Sequence, residues 1–270
     1  MPDADALAKM YGPAYASAGG TDATIEDPRE PGRVLARLRE RPPGKFIDFG
    51  CGSGSLLVAA RALGWTAVGV EFHADVARAT ATATGCDVFN GLVELRRSTA
   101  VPADAVHLGD VVEHLTSPAE VLQELVGLLR PRGWLLAQGP LEAGPCLFSI
   151  IVRARHSFRP AHPTEMAPYH VLQATVRGQR LLFERVGLEP LEYRISEVAW
   201  PARRHLSACL LAQPRSLALF TLRKVSQAIS KLNPGRWGNR YFYVGVAGGV
   251  GDEEGATEPL GVKTQGKTPG

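Results

Sequence analysis

At 270 residues the chain can hold one large α/β domain or two small ones. Its 45% hydrophobic content is that of an ordinary soluble protein, no apolar run is long enough to span a bilayer, and the opening MPDADALAKM lacks a secretory signal, so a cytoplasmic protein is expected. Net charge is only +3 but unevenly spread: between Glu197 and Asp252 there is no acidic residue, against eight Lys and Arg.

Residues 1–44 are rich in Gly, Ala and Pro, with Tyr11 and Tyr15 one helical turn apart and a short helix closed by Pro42, Pro43 and Gly44. From Lys45 strands and helices alternate. KFIDF, TAVGVEF, CDVFN, DAVHLGD and GWLLAQGP read as five strands, with SGSLLVAARALG, HADVARATATATG and SPAEVLQELVGLLRPRG as helices between them. The last of these helices begins with a capping box, Ser117 as N-cap with Glu120 three residues on, and Pro118 at its first position. Such alternation implies a parallel sheet covered on both faces. Residues 140–171 hold five prolines and read as a lid loop. Beyond it come a helix (VLQATVRGQRLLFERVG), a strand (LEPLEYRISEVA), a helical region over 202–235 broken at Pro214, and a last strand, RYFYVGVAG. The tail from Gly251 is polar and Gly-rich and is expected to be disordered.

The chemistry begins at KFIDFGCGSGSLLVAARALG. A strand ends at Asp48, and Gly50, Gly52 and Gly54 follow at alternate positions. A dinucleotide fingerprint has its third glycine three residues after the second, where this chain has Ser55. A carboxylate at Asp48 would repel a pyrophosphate but suits a ligand that brings an ammonium group. Glu71 stands at the end of the second strand, where a carboxylate accepts hydrogen bonds from ribose hydroxyls, and Phe72 beside it can pack on an adenine face. The four cysteines make no metal spacing and read as reduced thiols, Cys51 lying inside the loop.

Together, FIDFGCGSGSL, VGVEF, DVVEHLTSP and LLRPRGWLLAQGP resemble, in order and spacing, the Rossmann-like S-adenosylmethionine-dependent methyltransferases. Within them the chain is most similar to the branch that includes the ubiquinone-biosynthesis O-methyltransferases and many glycan and natural-product methyltransferases. The resemblance implies a doubly wound, seven-stranded, mainly parallel sheet with one antiparallel strand near the C-terminus. It implies that Asp48, Gly50, Cys51, Gly52 and Gly54 cradle the methionine part of the donor, that Glu71 holds the ribose, and that Leu108, Gly109 and Asp110 line the methyl-donor pocket. The family's acid beside the adenine amine is replaced here by Gly91, so Asn90 or a backbone carbonyl would take its place. Tyr11 and Tyr15 match aromatics that close over the cofactor.

Asp110, Glu113 and His114 lie at i, i+3 and i+4, one face of a helical turn. We expect no metal; these three are the set that would bind one, or else serve as base and orienter. For a hydroxyl acceptor the candidate bases are His114, His156, His162 and His170, with His114, His170 and Glu113 foremost. RARHSFRPAHPTEMAPYH carries three Arg and three His against one acid, which suits an anionic group on the acceptor. In RSLALFTLRKVSQAISKL, Ala218, Leu222, Val225, Ile229 and Leu232 form a stripe expected to cap the domain, the alternative being contact of 202–235 with a membrane surface or lipid-linked substrate. Nucleic acid is not expected as a partner. The expected division is a helical segment over the cofactor site (1–44), a methyltransferase domain (45–250) with a lid (140–171) and a basic helical cap (198–238), and a tail (251–270). The expected activity is O-methylation of a small-molecule, glycan or lipid-linked acceptor. The rivals are a catalytically silent cofactor-binding scaffold and an NAD(P)-dependent oxidoreductase.

Overall fold

The computed structural model describes residues 30–98, 100–141, 143–147, 149–151, 154, 171–198, 214–233 and 235–248. Within them the chain runs α1 (Glu30–Leu38), β1 (Lys45–Phe49), α2 (Ser55–Ala62), β2 (Thr66–Val70), α3 (Ala74–Thr84), β3 (Val88–Phe89), α4 (Leu92–Arg96), β4 (Ala103–Gly109), a 3-10 turn (Val112–His114), α5 (Pro118–Gly127), β5 (Leu129–Pro140), α6 (Val176–Arg185), β6 (Leu188–Ser196), α7 (Pro214–Leu232) and β7 (Arg240–Ala247). The strands form one seven-stranded sheet in the order β3-β2-β1-β4-β5-β7-β6. Neighbouring strands from β3 to β5 pair in parallel, and β7 lies antiparallel to both β5 and β6. This is the expected Rossmann-like architecture.

Side chains alternate between the two faces of a strand, and both faces are covered. Ile47, Phe49, Val106, Leu108, Leu135, Ala137, Tyr241 and Tyr243 point to one core, closed by Leu122 and Leu125 of α5 and Phe183 of α6. Phe183 stacks on Tyr243 with ring centroids 4.0 Å apart. Phe46, Ala105, Leu136, Phe242 and Val244 point to the other, closed by Val34 and Leu38 of α1 and Leu56, Leu57 and Ala60 of α2. On this second face Asp48, His107 and Gln138 take alternating positions where the pattern would put apolar residues, all within the last turns of their strands before the carboxyl edge.

Four local expectations change. The side chain of Ser117 caps no backbone N–H of α5, so the capping box is absent, although Pro118 does stand at the helix start. A short helix, α4, follows Gly91 where no helix was read. The DVVEHL stretch does not make an α-helical turn; only a 3-10 turn forms over Val112–His114. Finally, the apolar stripe of α7 is not the face turned to the domain. Phe220, Ser226 and Ser230 are buried, whereas Val225 and Leu232 are 47% and 81% exposed. The packed face is instead polar and close-fitting: Ser230 accepts from the Glu197 N–H at 3.1 Å and donates to the Trp237 carbonyl at 2.8 Å. Arg223 on the same face reaches to 3.6 Å from Glu197. None of the helices among the described residues is long and apolar enough to cross a membrane.

Candidate functional site

The carboxyl edge of β1, β2, β4 and β5 carries the site. At the end of β1 the chain must turn sharply into α2, and Gly50, Gly52 and Gly54 all have positive φ (81°, 49° and 74°), a region that L side chains avoid. Their roles differ. A Cβ on Gly50 would lie 2.5 Å from Val111 Cγ2, and one on Gly54 2.7 Å from Thr80 Cγ2, so both are needed for close packing. A Cβ on Gly52 would meet nothing within 4 Å, which leaves its backbone open to an approaching ligand. Thr80 of α3 donates to the Gly52 carbonyl at 2.6 Å and fixes the loop from behind.

Glu71 closes the loop from the next strand. Its Oε2 accepts from the Gly52 N–H and its Oε1 from the His73 N–H, both at 3.2 Å. The carboxylate is thereby held in place with lone pairs left on both oxygens. Beside it, Phe72 is 55% exposed and meets Phe49 in a T-shaped contact at 5.2 Å between centroids. Asn90 donates from Nδ2 to the carbonyls of Glu71 and Phe72, at 2.9 and 2.8 Å. With both donors so engaged, what it offers a ligand is its amide oxygen, the complement of an amine.

Below the glycine loop is a cavity of about 120 Å³ lined by Pro31, Asp48, Gly50, Cys51, Ser55, Leu56, His107, Gly109, Asp110 and Gln138. Pro31 shows that the start of α1 reaches the site. Asp48 is buried and its Oδ1 lies 2.7 Å from His107 Nδ1. Burial, aided by the Asp48 and Glu71 carboxylates, pushes the Cys51 thiol up to about 12, which makes it a wall residue and no nucleophile. Asp110 leaves β4 in the left-handed region (φ 51°) and its carboxylate accepts from Arg240 at the start of β7, at 2.8 Å. A larger cavity of about 290 Å³ lies between α6 and β6, bordered by Arg180 and Tyr193, away from the glycine loop.

Of the residues expected here, the structure brings together Asp48, Gly50, Cys51, Gly52, Glu71, Gly109 and Asp110. Gly54 serves helix packing. Leu108 is wholly buried in the opposite core, so its side chain is not part of the cavity wall. Tyr11, Tyr15, His156, His162 and His170 lie outside the described residues. Glu113 and His114 are beside one another, Nε2 to Oε1 4.0 Å, with His114 the more exposed. Glu113 is buried on the other face: a Cβ on Gly139 would lie 3.2 Å from both its Oε2 and the Tyr241 ring. Asp110 is instead tied to Arg240, so the expected trio is not gathered. Among the described residues no three His, Cys, Asp or Glu side chains form a metal-holding group. His107, Gln138 and Arg240 escaped the sequence reading. The available signal was a polar residue inside an otherwise apolar core strand, DAVHLGD and LLAQGP, which asks for a partner.

Comparison with known proteins agrees with this geometry. A family model described as a methyltransferase domain matches residues 24–193. Ribosomal protein L11 methyltransferase of Bordetella bronchiseptica is 36% identical over 152 residues, 53% of this chain and 45% of that protein. The protein of the same name from Bordetella parapertussis is 36% identical over 110 residues, 38% of this chain and 34% of that one. The chain thus spans less than half the length of these curated relatives. Among solved structures, the complex between the Haloferax volcanii Trm112 methyltransferase activator and the putative methyltransferase matches with TM-score 0.58 and 15% identity, covering 87% of this chain and 96% of that one. Magnesium protoporphyrin IX methyltransferase from Synechocystis PCC 6803 with bound SAH matches with TM-score 0.52 and 14% identity, covering 90% and 93%. At such identities the likeness is one of fold.

Proposed function

Because the chain belongs to the methyltransferase-domain family and is an S-adenosylmethionine-dependent enzyme, we propose that it transfers the donor's methyl group to an oxygen of a small-molecule, glycan or lipid-linked acceptor carrying an anionic group. The residues present fit the donor. Asp48 is an acid at the floor of the cavity, Gly52 leaves its backbone open, and Glu71 presents two oxygens already oriented by backbone N–H groups. When bound, the donor supplies a methyl group on a positively charged sulfur, an electrophile that needs little activation. The protein's work is then alignment and proton removal.

In this reading Glu71 binds the ribose diol, Phe72 stacks on adenine, Asn90 accepts from the adenine amine, and Asp48 takes the ammonium end. Gly109 and Asp110 border the methyl, with Arg240 holding the Asp110 carboxylate in place. His114 is the base, oriented by the Glu113 carboxylate; His170 is the alternative base in the segment between β5 and α6. The observation that carries the acceptor class is the composition of that segment, with three Arg and three His against one acid from Arg153 to His170. It follows the carboxyl end of β5, where open α/β sheets bind their ligands.

A second reading, methylation of a protein, is favoured by the 36% identity to two ribosomal protein L11 methyltransferases. One experiment divides the two. The purified chain is incubated with cell extract and methyl-labelled S-adenosylmethionine, and the products are split by size. Label in the small-molecule or lipid fraction supports the first reading. Label confined to acid-precipitated protein refutes it in favour of the second.

A further inference from the structure

We propose that the outward face of α7, with the adjoining Ile150 and Ile151, is a docking surface for a membrane that carries anionic lipid. An amphipathic helix on a globular domain ordinarily buries its apolar side. Helices α2 and α5 do so, through Leu56, Leu57 and Ala60 and through Leu122 and Leu125. Helix α7 is turned the other way. Its packed side holds Ser226 and Ser230, both buried, and Arg223 beside Glu197. Phe220 is buried, but Leu222 and Ile229 are only partly so. The outer side carries Thr221, Val225, Ala228 and Leu232, all exposed and none charged.

The exposed apolar surface is concentrated here. Among the described residues nine large hydrophobic side chains are exposed, and four of them are Ile150, Ile151, Val225 and Leu232. The two segments touch. The Leu147 N–H, one helical turn before Ile150 and Ile151, donates to Ser226 Oγ of α7 at 3.4 Å. Single exposed apolar residues are normal on any protein, whereas a group drawn from two neighbouring segments marks a place of contact.

Charge selects the occupant. Lys224 and Lys231, two helical turns apart, run along one flank of the outer face, and the exposed Arg236 follows beyond the end of the helix. From Val198 to Gly251 the chain has no acidic residue to oppose them. A bilayer with anionic headgroups answers both features, with hydrocarbon for the stripe and negative charge for the flank. A nucleic acid would leave the aliphatic side chains without a partner, since its bases stack on aromatic rings. A second copy of this chain would bring positive charge to positive charge. The surface also stands at the donor's end of the sheet. Glu197, which the packed side of α7 meets, follows Ser196; Ser196 pairs with Arg240, and Arg240 with Pro140 at the carboxyl end of β5. Taken with the acceptor reading above, on which this consequence rests, docking there favours the lipid-linked acceptor, which would reach the site without leaving the bilayer.

The test is co-sedimentation of the purified chain with vesicles of phosphatidylcholine, and with vesicles of phosphatidylcholine and phosphatidylglycerol in equal amounts. Binding to the second should be at least about 10-fold tighter and should weaken as salt is raised. Val225→Glu combined with Leu232→Glu should lower that affinity about 30-fold, and Lys231→Gln combined with Arg236→Gln should do the same. All four side chains are exposed, so both variants should melt as the parent does and bind S-adenosylhomocysteine with unchanged affinity. Equal binding to both vesicles, no binding to either, or full binding by the Val225→Glu, Leu232→Glu variant would overturn the inference. So would a parent that is dimeric in solution when that variant is monomeric, which would make the stripe a contact between copies. Any of these failures leaves the methyl-transfer reading intact. Label confined to protein in the extract experiment would remove the lipid-linked acceptor and leave the vesicle result standing.

Discussion

Replacing Glu71 with alanine tests the donor site at the ribose. The Glu71 carboxylate is fixed by two backbone N–H groups, those of Gly52 and His73, each at 3.2 Å. A carboxylate has about four lone-pair sites, so roughly two remain to accept the paired hydroxyls of a ribose. Hydrogen bonds to a charged group contribute about 1.5–3 kcal/mol each. Glu71 is only half-buried, so the lower end applies, about 3 kcal/mol for the pair, or about 100-fold in Kd. The folded state should lose only about 1 kcal/mol, because the two N–H groups it releases are near solvent and can turn to water. Glu71→Gln should also fail, by about 10-fold, since its NH2 group would face a backbone N–H where an oxygen now accepts. Titration with S-adenosylhomocysteine at 25 °C, with a thermal melt as control, reads both. An affinity for Glu71→Ala within about 5-fold of the parent, in a protein that melts normally, would refute the ribose assignment.

Gly50→Ala and Gly52→Ala separate packing from binding. The first should destabilise by about 2 kcal/mol through its clash with Val111. The second should cost about 1 kcal/mol of backbone strain yet weaken S-adenosylhomocysteine binding more than the first; melting and titration of both variants check this, and normal binding by Gly52→Ala would contradict it. Cys51, with its thiol pushed up to about 12, should resist iodoacetamide at pH 8 in the folded protein and react once the protein is unfolded, as peptide mapping would record. Arg223→Met should destabilise by about 3 kcal/mol at pH 8, since it removes the positive charge facing the buried Glu197 carboxylate. Burial already raises the Glu197 carboxyl above its unfolded value. The folded state therefore binds the proton more tightly, and stability is regained as pH falls through the folded pKa toward the unfolded one. Denaturant melts at pH 8 and pH 5 that show no such convergence would count against this reading.

What could be read from the sequence was what the chain decides locally. The alternation of strand and helix, the glycines at positive φ, and Glu71 at a strand end are each set within a few residues. His107 was not legible, because its meaning depends on Asp48, which lies 59 positions earlier and faces it only after β1 and β4 pair. Arg240 is 130 positions from Asp110. The stripe on α7 was real as a spacing but silent about direction. A 3–4 repeat marks an apolar face, yet the domain offers Glu197 and close-packed backbone there, so Ser226, Ser230 and Arg223 win that contact.

The strand order also governs how the chain folds as it is made. The last strand of the sheet to be synthesised, β7, lies inside the sheet, between β5 and β6. Until residue 247 has left the ribosome, β5 is an open edge and β6 has no neighbour to pair with. Synthesis at about 5–20 residues per second leaves β5 in that state for several seconds after its own residues have emerged. An unpaired edge strand invites pairing with another chain. The stretch most in need of protection during synthesis is therefore the interior strand β5, which in the finished protein is shielded on both sides.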